Sequence, residues 1–166
     1  MKPTLLFDFT VDKENSTVNV KREFAAEHSL VWDAWTKPEM LDKWWAPKPY
    51  VTKTKSMNFT NGGRWLYAME GPTGDKHWCL ADYSEIDTKN SFKHLDAFCD
   101  LEGNISDAMP RSAWSTKFTN QGETTLVNVS IKHDTLEDLE KIIEMGFKEG
   151  FTMAMGNLDE LFSNLK

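Results

Sequence analysis

Two cysteines in 166 residues, Cys79 and Cys99, cannot form a disulfide framework for a chain of this size. Basic runs are also missing. With a net charge of −7 and no basic stretch of five residues, the surface is unsuited to phosphate backbones or anionic headgroups, so no nucleic acid and no membrane insertion are expected. The apolar start at Leu5 meets Asp8 and Asp12 before it is long enough for a signal peptide or a membrane span, and a cytoplasmic location is expected. His28, His77, His94 and His133 stand alone, without a second ligand at metal spacing, so neither metal nor cofactor is expected. The chain has no Gly-x-Ser-x-Gly elbow. Its Gly62-Gly63 pair leads into a strand, where a phosphate-cradling loop would open a helix.

What is present is apolar and aromatic. Hydrophobic residues make up 40% of the chain and seven are tryptophan, enough to bury one full core, so a single domain over residues 1–166 is expected. From Leu136 to Leu165 the spacing predicts one long helix. At ~100° per residue, Leu136, Leu139, Ile143, Phe147, Phe151, Leu158, Leu161 and Leu165 share an arc of roughly 120° with Gly150 and Ala154. Thr135 or Asp134 would cap it. Gly146, Gly150 and Ala154 form a strip of minimal side chains, which either lets the helix pack closely on a sheet or leaves room beneath it.

Ahead of that helix the period changes twice. Residues Leu5 to Val11 and Ser16 to Phe24 alternate around a polar turn and predict a hairpin, its first strand lying in an N-terminal extension over 1–15. Helical spacing follows at Val31, Trp32, Ala34 and Trp35, and again after Pro38 at Met40, Leu41, Trp44 and Trp45. Strands are predicted near Val51–Phe59, Arg64–Glu70, His77–Ile86, Ser91–Cys99, Ala113–Thr119 and Thr124–Lys132, joined by Gly, Asn and Asp turns. A hairpin turn centred between Thr88 and Lys89 would bring Cys79 near Cys99. The longer stretch Asp100 to Pro110 reads as a loop, either a lid or simply mobile. This order specifies an α+β fold: a curved antiparallel sheet wrapped round a long C-terminal helix, with two short helices after the first strand region.

Phe24-Ala25-Ala26, Val31-Trp32, Ala34-Trp35-Thr36, Pro38-Glu39, Trp44-Trp45-Ala46-Pro47, Gly62-Gly63-Arg64-Trp65 and Met145 to Phe151 together resemble the START-related SRPBCC superfamily. The chain is most similar, from about residue 19 to 165, to the branch named for the C-terminal domain of the heat-shock-protein-90 ATPase activator. The resemblance implies the helix-grip fold, with a largely apolar cavity between long helix and sheet. It implies no fixed catalytic motif. The chaperone activator resembles this chain only in its C-terminal half, so a chaperone partner is not expected.

Candidate cavity residues follow from alternation. Trp65, Tyr67 and Met69 share a face, as do Trp114 and Phe118, and as do Val127, Val129 and Ile131. Phe147, Gly150, Phe151 and Ala154 would face them from the helix, and Trp44 and Trp45 are candidates for the pocket mouth. Phe92, His94, Asp96 and Phe98 also share a face, turned either inward or to solvent. Turned inward, His94 and Asp96 would be the candidate acid/base pair, with Tyr67 and Arg64 as further ligand-orienting groups. Met145, Met153 and Met155, off or at the margin of the arc, are candidates for a homodimer surface. The leading expectation is a non-catalytic domain that binds a small hydrophobic ligand. An enzyme acting on such a molecule comes second, and a chaperone-interaction module third.

Overall fold

The computed structural model describes residues 5–165. Its strands are β1 (Phe7–Asp12), β2 (Thr17–Phe24), β3 (Val51–Met57), β4 (Arg64–Glu70), β5 (Lys76–Asp87), β6 (Ser91–Phe98), β7 (Ser112–Asn120) and β8 (Thr125–His133). They form one antiparallel sheet in the order β1-β2-β8-β7-β6-β5-β4-β3. Successive hairpins account for β3 to β8. The sheet is completed by pairing β2 with β8, where Val18 lies opposite Ile131 and Val20 opposite Val129. One register therefore puts the apolar residues of both ends of the chain on the same inner face. Gly62, at φ +85, makes the turn into β4, and a Cβ on Gly63 would lie 2.1 Å from the Asn58 carbonyl oxygen.

Between β2 and β3 run two helices, α1 (His28–Thr36) and α2 (Pro38–Trp44), with Pro38 at the first helical position. Val31, Trp32, Ala34 and Trp35 of α1 are buried against one end of the sheet. Trp44 of α2 is buried too, and its indole N–H donates to the Ala34 carbonyl at 2.8 Å, tying the helices together.

The single helix expected over residues 136–165 is two, α3 (Leu136–Glu144) and α4 (Phe147–Asn164). Thr135 caps the first, accepting from the Asp138 N–H at 3.0 Å. The break is Gly146, whose φ of +93 is left-handed; its N–H bonds the Ile143 carbonyl and closes α3. Both helices still present Leu139, Phe151, Ala154, Leu158 and Phe162 to the sheet, so the apolar stripe runs on through the interruption. Leu136 and Leu165 at the outer ends are exposed. Met155 is fully buried, which leaves Met145 and Met153 of the three methionines expected on the surface.

Polar ties fix α4 in place. Asn157 donates to the Trp44 and Ala46 carbonyls at 3.4 and 3.1 Å, satisfying buried carbonyls at the end of α2. Buried Arg22 of β2, lying over the Phe7 and Phe24 rings, pairs with Asp159. The Asp100–Pro110 loop is anchored: Asp100 accepts from the Glu102 and Asn104 amides, and Lys55 and Arg64 donate to the Leu101 and Gly103 carbonyls. Among the described residues no helix is long and apolar enough to cross a membrane.

Candidate functional site

Where the first turns of α4 pass over β4 to β8, helix and sheet do not meet, and a cavity of about 410 Å³ lies between them. Trp65, Tyr67 and Met69 of β4 line it, with Trp114 of β7 and Ile131 of β8 across the floor. Phe147, Gly150, Phe151 and Ala154 form the roof. A Cβ on Gly150 would touch only Pro47, at 3.7 Å. The wall rings lie flat in pairs, Trp65 on Tyr67 at 3.8 Å between centroids and Phe147 on Phe151 at 5.4 Å.

Several of the expected residues, Val127 and Val129 of β8 among them, do not line the cavity. Phe118 shares the inner face with Trp114 but sits further along β7, packed on Trp32 at 5.1 Å and on Trp35 at 6.1 Å, and does not reach the cavity. Trp44 is sealed beneath α1. Its neighbour Trp45 turns the other way, lines the cavity, and donates its indole N–H to the Tyr67 hydroxyl at 3.0 Å. Arg64 lies on the outer face, paired with Asp82 at 2.6 and 3.1 Å. Cys79 lies opposite Phe98, one residue short of Cys99, and that offset sends the two thiols to opposite faces. Cys79 lines the cavity, whereas Cys99 packs with Leu66, Leu80 and Ala97 outside; both are free.

On β6 the alternation turns Phe92, His94, Asp96 and Phe98 inward and exposes Leu95. His94, Asp96 and Phe98 all reach the cavity. Asp96 accepts from the Ser112 N–H at 2.7 Å and from the Trp114 indole at 2.9 Å. Burial outweighs these bonds and the nearby Arg111, and pushes its pKa up to about 6. His94 lies flat against Trp114, with 5.1 Å between centroids, and burial pulls its pKa down to about 3, so the ring is neutral. Its Nδ1 is enclosed and has no hydrogen-bond partner. Burial drives the Cys79 thiol up to about 12, which removes it as a nucleophile.

Residues 25–163 match the family described as activator of Hsp90 ATPase homolog 1-like protein. The chain belongs to that family. A crystal structure from Mycobacterium smegmatis is similar with a TM-score of 0.86 at 28% identity, covering 95% of this chain and 96% of that one. A solution structure from Arthrobacter aurescens is similar with a TM-score of 0.89 at 26% identity, covering 95% and 91%. The fold is thus the helix-grip fold of these activator-homologue relatives. No protein of curated function matches the chain.

In this family member, several lining residues escaped the sequence reading. Ser112 and His133 lie opposite each other at the ends of β7 and β8, with 3.2 Å between Oγ and Nδ1. The predicted strands stopped one residue short of both. At the rim, Tyr50 donates to Asp75 at 2.6 Å and His77 lies 3.2 Å from the same carboxylate. His77 was within reach, because it shares the alternation of Cys79 on β5. Among the described residues no cluster of His, Cys, Asp and Glu could hold a metal ion.

Proposed function

We propose that this domain binds one small hydrophobic or amphipathic molecule in the cavity beneath α4. The carrying observation is an interior space of about 410 Å³ with aromatic walls and a roof thinned at Gly150 and Ala154. That volume falls within the roughly 300–1,000 Å³ of small-molecule sites. Burying ligand surface there at ~25 cal/mol per Å² drives the affinity, and the Asp96–His94 end orients the molecule. Tyr50, His77, Pro110 and Met145, each at least partly exposed, form the way in.

N-phenylnaphthylamine, a neutral apolar dye, tests the reading. Saturable fluorescence enhancement with one dye per chain is expected, and linear, non-saturating enhancement would contradict it. A second reading rests on Asp96, whose buried carboxyl titrates near the pH of general acid/base work. It predicts a turnover of a cavity-bound substrate that follows Asp96 ionisation and disappears in Asp96→Asn. Unchanged turnover in that variant would remove it.

A further inference from the structure

The cavity lining carries a single carboxyl, Asp96, and no cation to set against it. Each indole N–H at its wall is already spent: Trp45 on the Tyr67 oxygen, Trp65 on Thr54 Oγ1 at 3.0 Å, and Trp114 on Asp96. The Tyr67 hydroxyl accepts from Trp45 and keeps its own O–H, whereas the Ser112 N–H is spent on Asp96. No lysine or arginine is among the lining residues. The nearest guanidinium, Arg111, is committed to Asp82 at 2.8 Å and to the Asp96 and Leu95 carbonyls at 3.0 and 3.3 Å. Two acceptor groups remain on one wall. Asp96 has a free lone pair on each oxygen, and the neutral His94 ring, with one bare nitrogen and one N–H, can accept or donate.

An unpaired carboxylate in an apolar space discriminates by sign. A carboxylate brought to this wall would face Asp96 with no cation between them, and each buried charge would lack its partner. A head that donates finds the opposite: a hydrogen bond to carboxylate or imidazole, charge-assisted when the head is an ammonium. The flat ring pairs on three sides add the requirement for a planar body. We propose that the cavity takes a compact aromatic molecule with a hydrogen-donating head, a primary amine cation being the strongest case, seated at Asp96 and His94, and that it rejects aromatic and fatty carboxylates. This inference rests on the binding reading above and names its ligand class.

The charge state of Asp96 then governs amine binding. The titratable or charged groups around it are Tyr67 from β4, Cys79 from β5, His94 on its own strand, Arg111 ahead of β7 and His133 from β8; α4 contributes only Phe147, Phe151 and Ala154 to this side. Tyr67 and Cys79 stay neutral because burial raises both, and burial lowers His94 and His133. Acidification through the Asp96 range, near 6, therefore weakens amine binding more than that of a neutral ligand.

Calorimetric titration with three isosteric probes, naphthylmethylamine, naphthylmethanol and naphthoate, tests the inference on the unaltered protein. Near neutral pH the amine is expected to bind at least about tenfold more tightly than the carboxylate, with the alcohol between. Asp96→Asn, with alcohol binding as its control for folding, is expected to narrow the amine-to-carboxylate ratio to less than about threefold. Equal or tighter binding of naphthoate to the unaltered protein overturns the inference and leaves the binding reading standing. An unchanged ratio in a variant that still binds the alcohol overturns it as well. Failure of all three probes overturns the binding reading, and the ligand class falls with it.

Discussion

The interior has two halves floored by the same sheet, one dry and one open. Under α1, Trp32 meets Phe59, Phe92 and Phe118 edge-on at 5.9, 5.9 and 5.1 Å, and Trp35 closes against Trp44 at 4.8 Å. Under α4, the floor carries Trp65, Tyr67 and Trp114, yet beside Phe147 and Phe151 the roof presents only Gly150 and Ala154. Aromatics line both halves, so wall composition does not distinguish a core from a cavity. The covering helix does. Where it brings indoles the space is filled, and where it brings a hydrogen and a methyl the space remains.

Three substitutions probe that contrast. Trp32→Ala hollows the dry half and is expected to cost about 3–5 kcal/mol in denaturant unfolding. Dye affinity of the folded fraction should stay within about threefold, because Trp32 does not touch the cavity. A loss below about 1 kcal/mol would mean that the dry half is not packed as described. Gly150→Leu makes the open half resemble the dry one. Dye affinity should fall more than about tenfold while stability shifts by less than about 1.5 kcal/mol, since the new side chain grows into free space and helix propensity improves. Retained affinity would place the ligand elsewhere.

The third substitution has the smallest effect near neutral pH and is read through pH. His94 has its folded pKa depressed to about 3, so its contribution to stability is complete above the unfolded value of 6.5 and is lost as pH falls toward 3. His94→Phe should flatten that acid limb in melting temperatures measured across the window. Asp96 has the opposite sign: its folded pKa is raised from 3.8 to about 6, so its contribution is present below 3.8 and lost as pH rises through 6. An acid limb unaltered by His94→Phe would show that His94 is not buried neutral.

Much of this was legible in the sequence, because period-two alternation reports which face a strand residue takes. It placed Trp65, Tyr67, Met69 and Trp114 on the inner face, and it paired His94 with Asp96. Alternation does not report position along the strand relative to the helix above. Phe118 lies four residues, or roughly 13 Å, beyond Trp114 and so falls under α1. A helical stripe is equally blind to a short break in phase, and Gly146 read as helix interior for that reason. The outward turn of Cys99 depended on a single residue of register. The orphaned His94 nitrogen and the spent indole donors depend on three-dimensional partners that no spacing encodes.

Native mass spectrometry of the purified protein, compared with the same sample after denaturation, tests the central claim most directly, since a filled apolar cavity retains its occupant through purification. The account predicts one molecule of discrete mass per chain, released on unfolding and missing from Gly150→Leu. A chain that is bare as purified, and stays bare after incubation with N-phenylnaphthylamine, would contradict it.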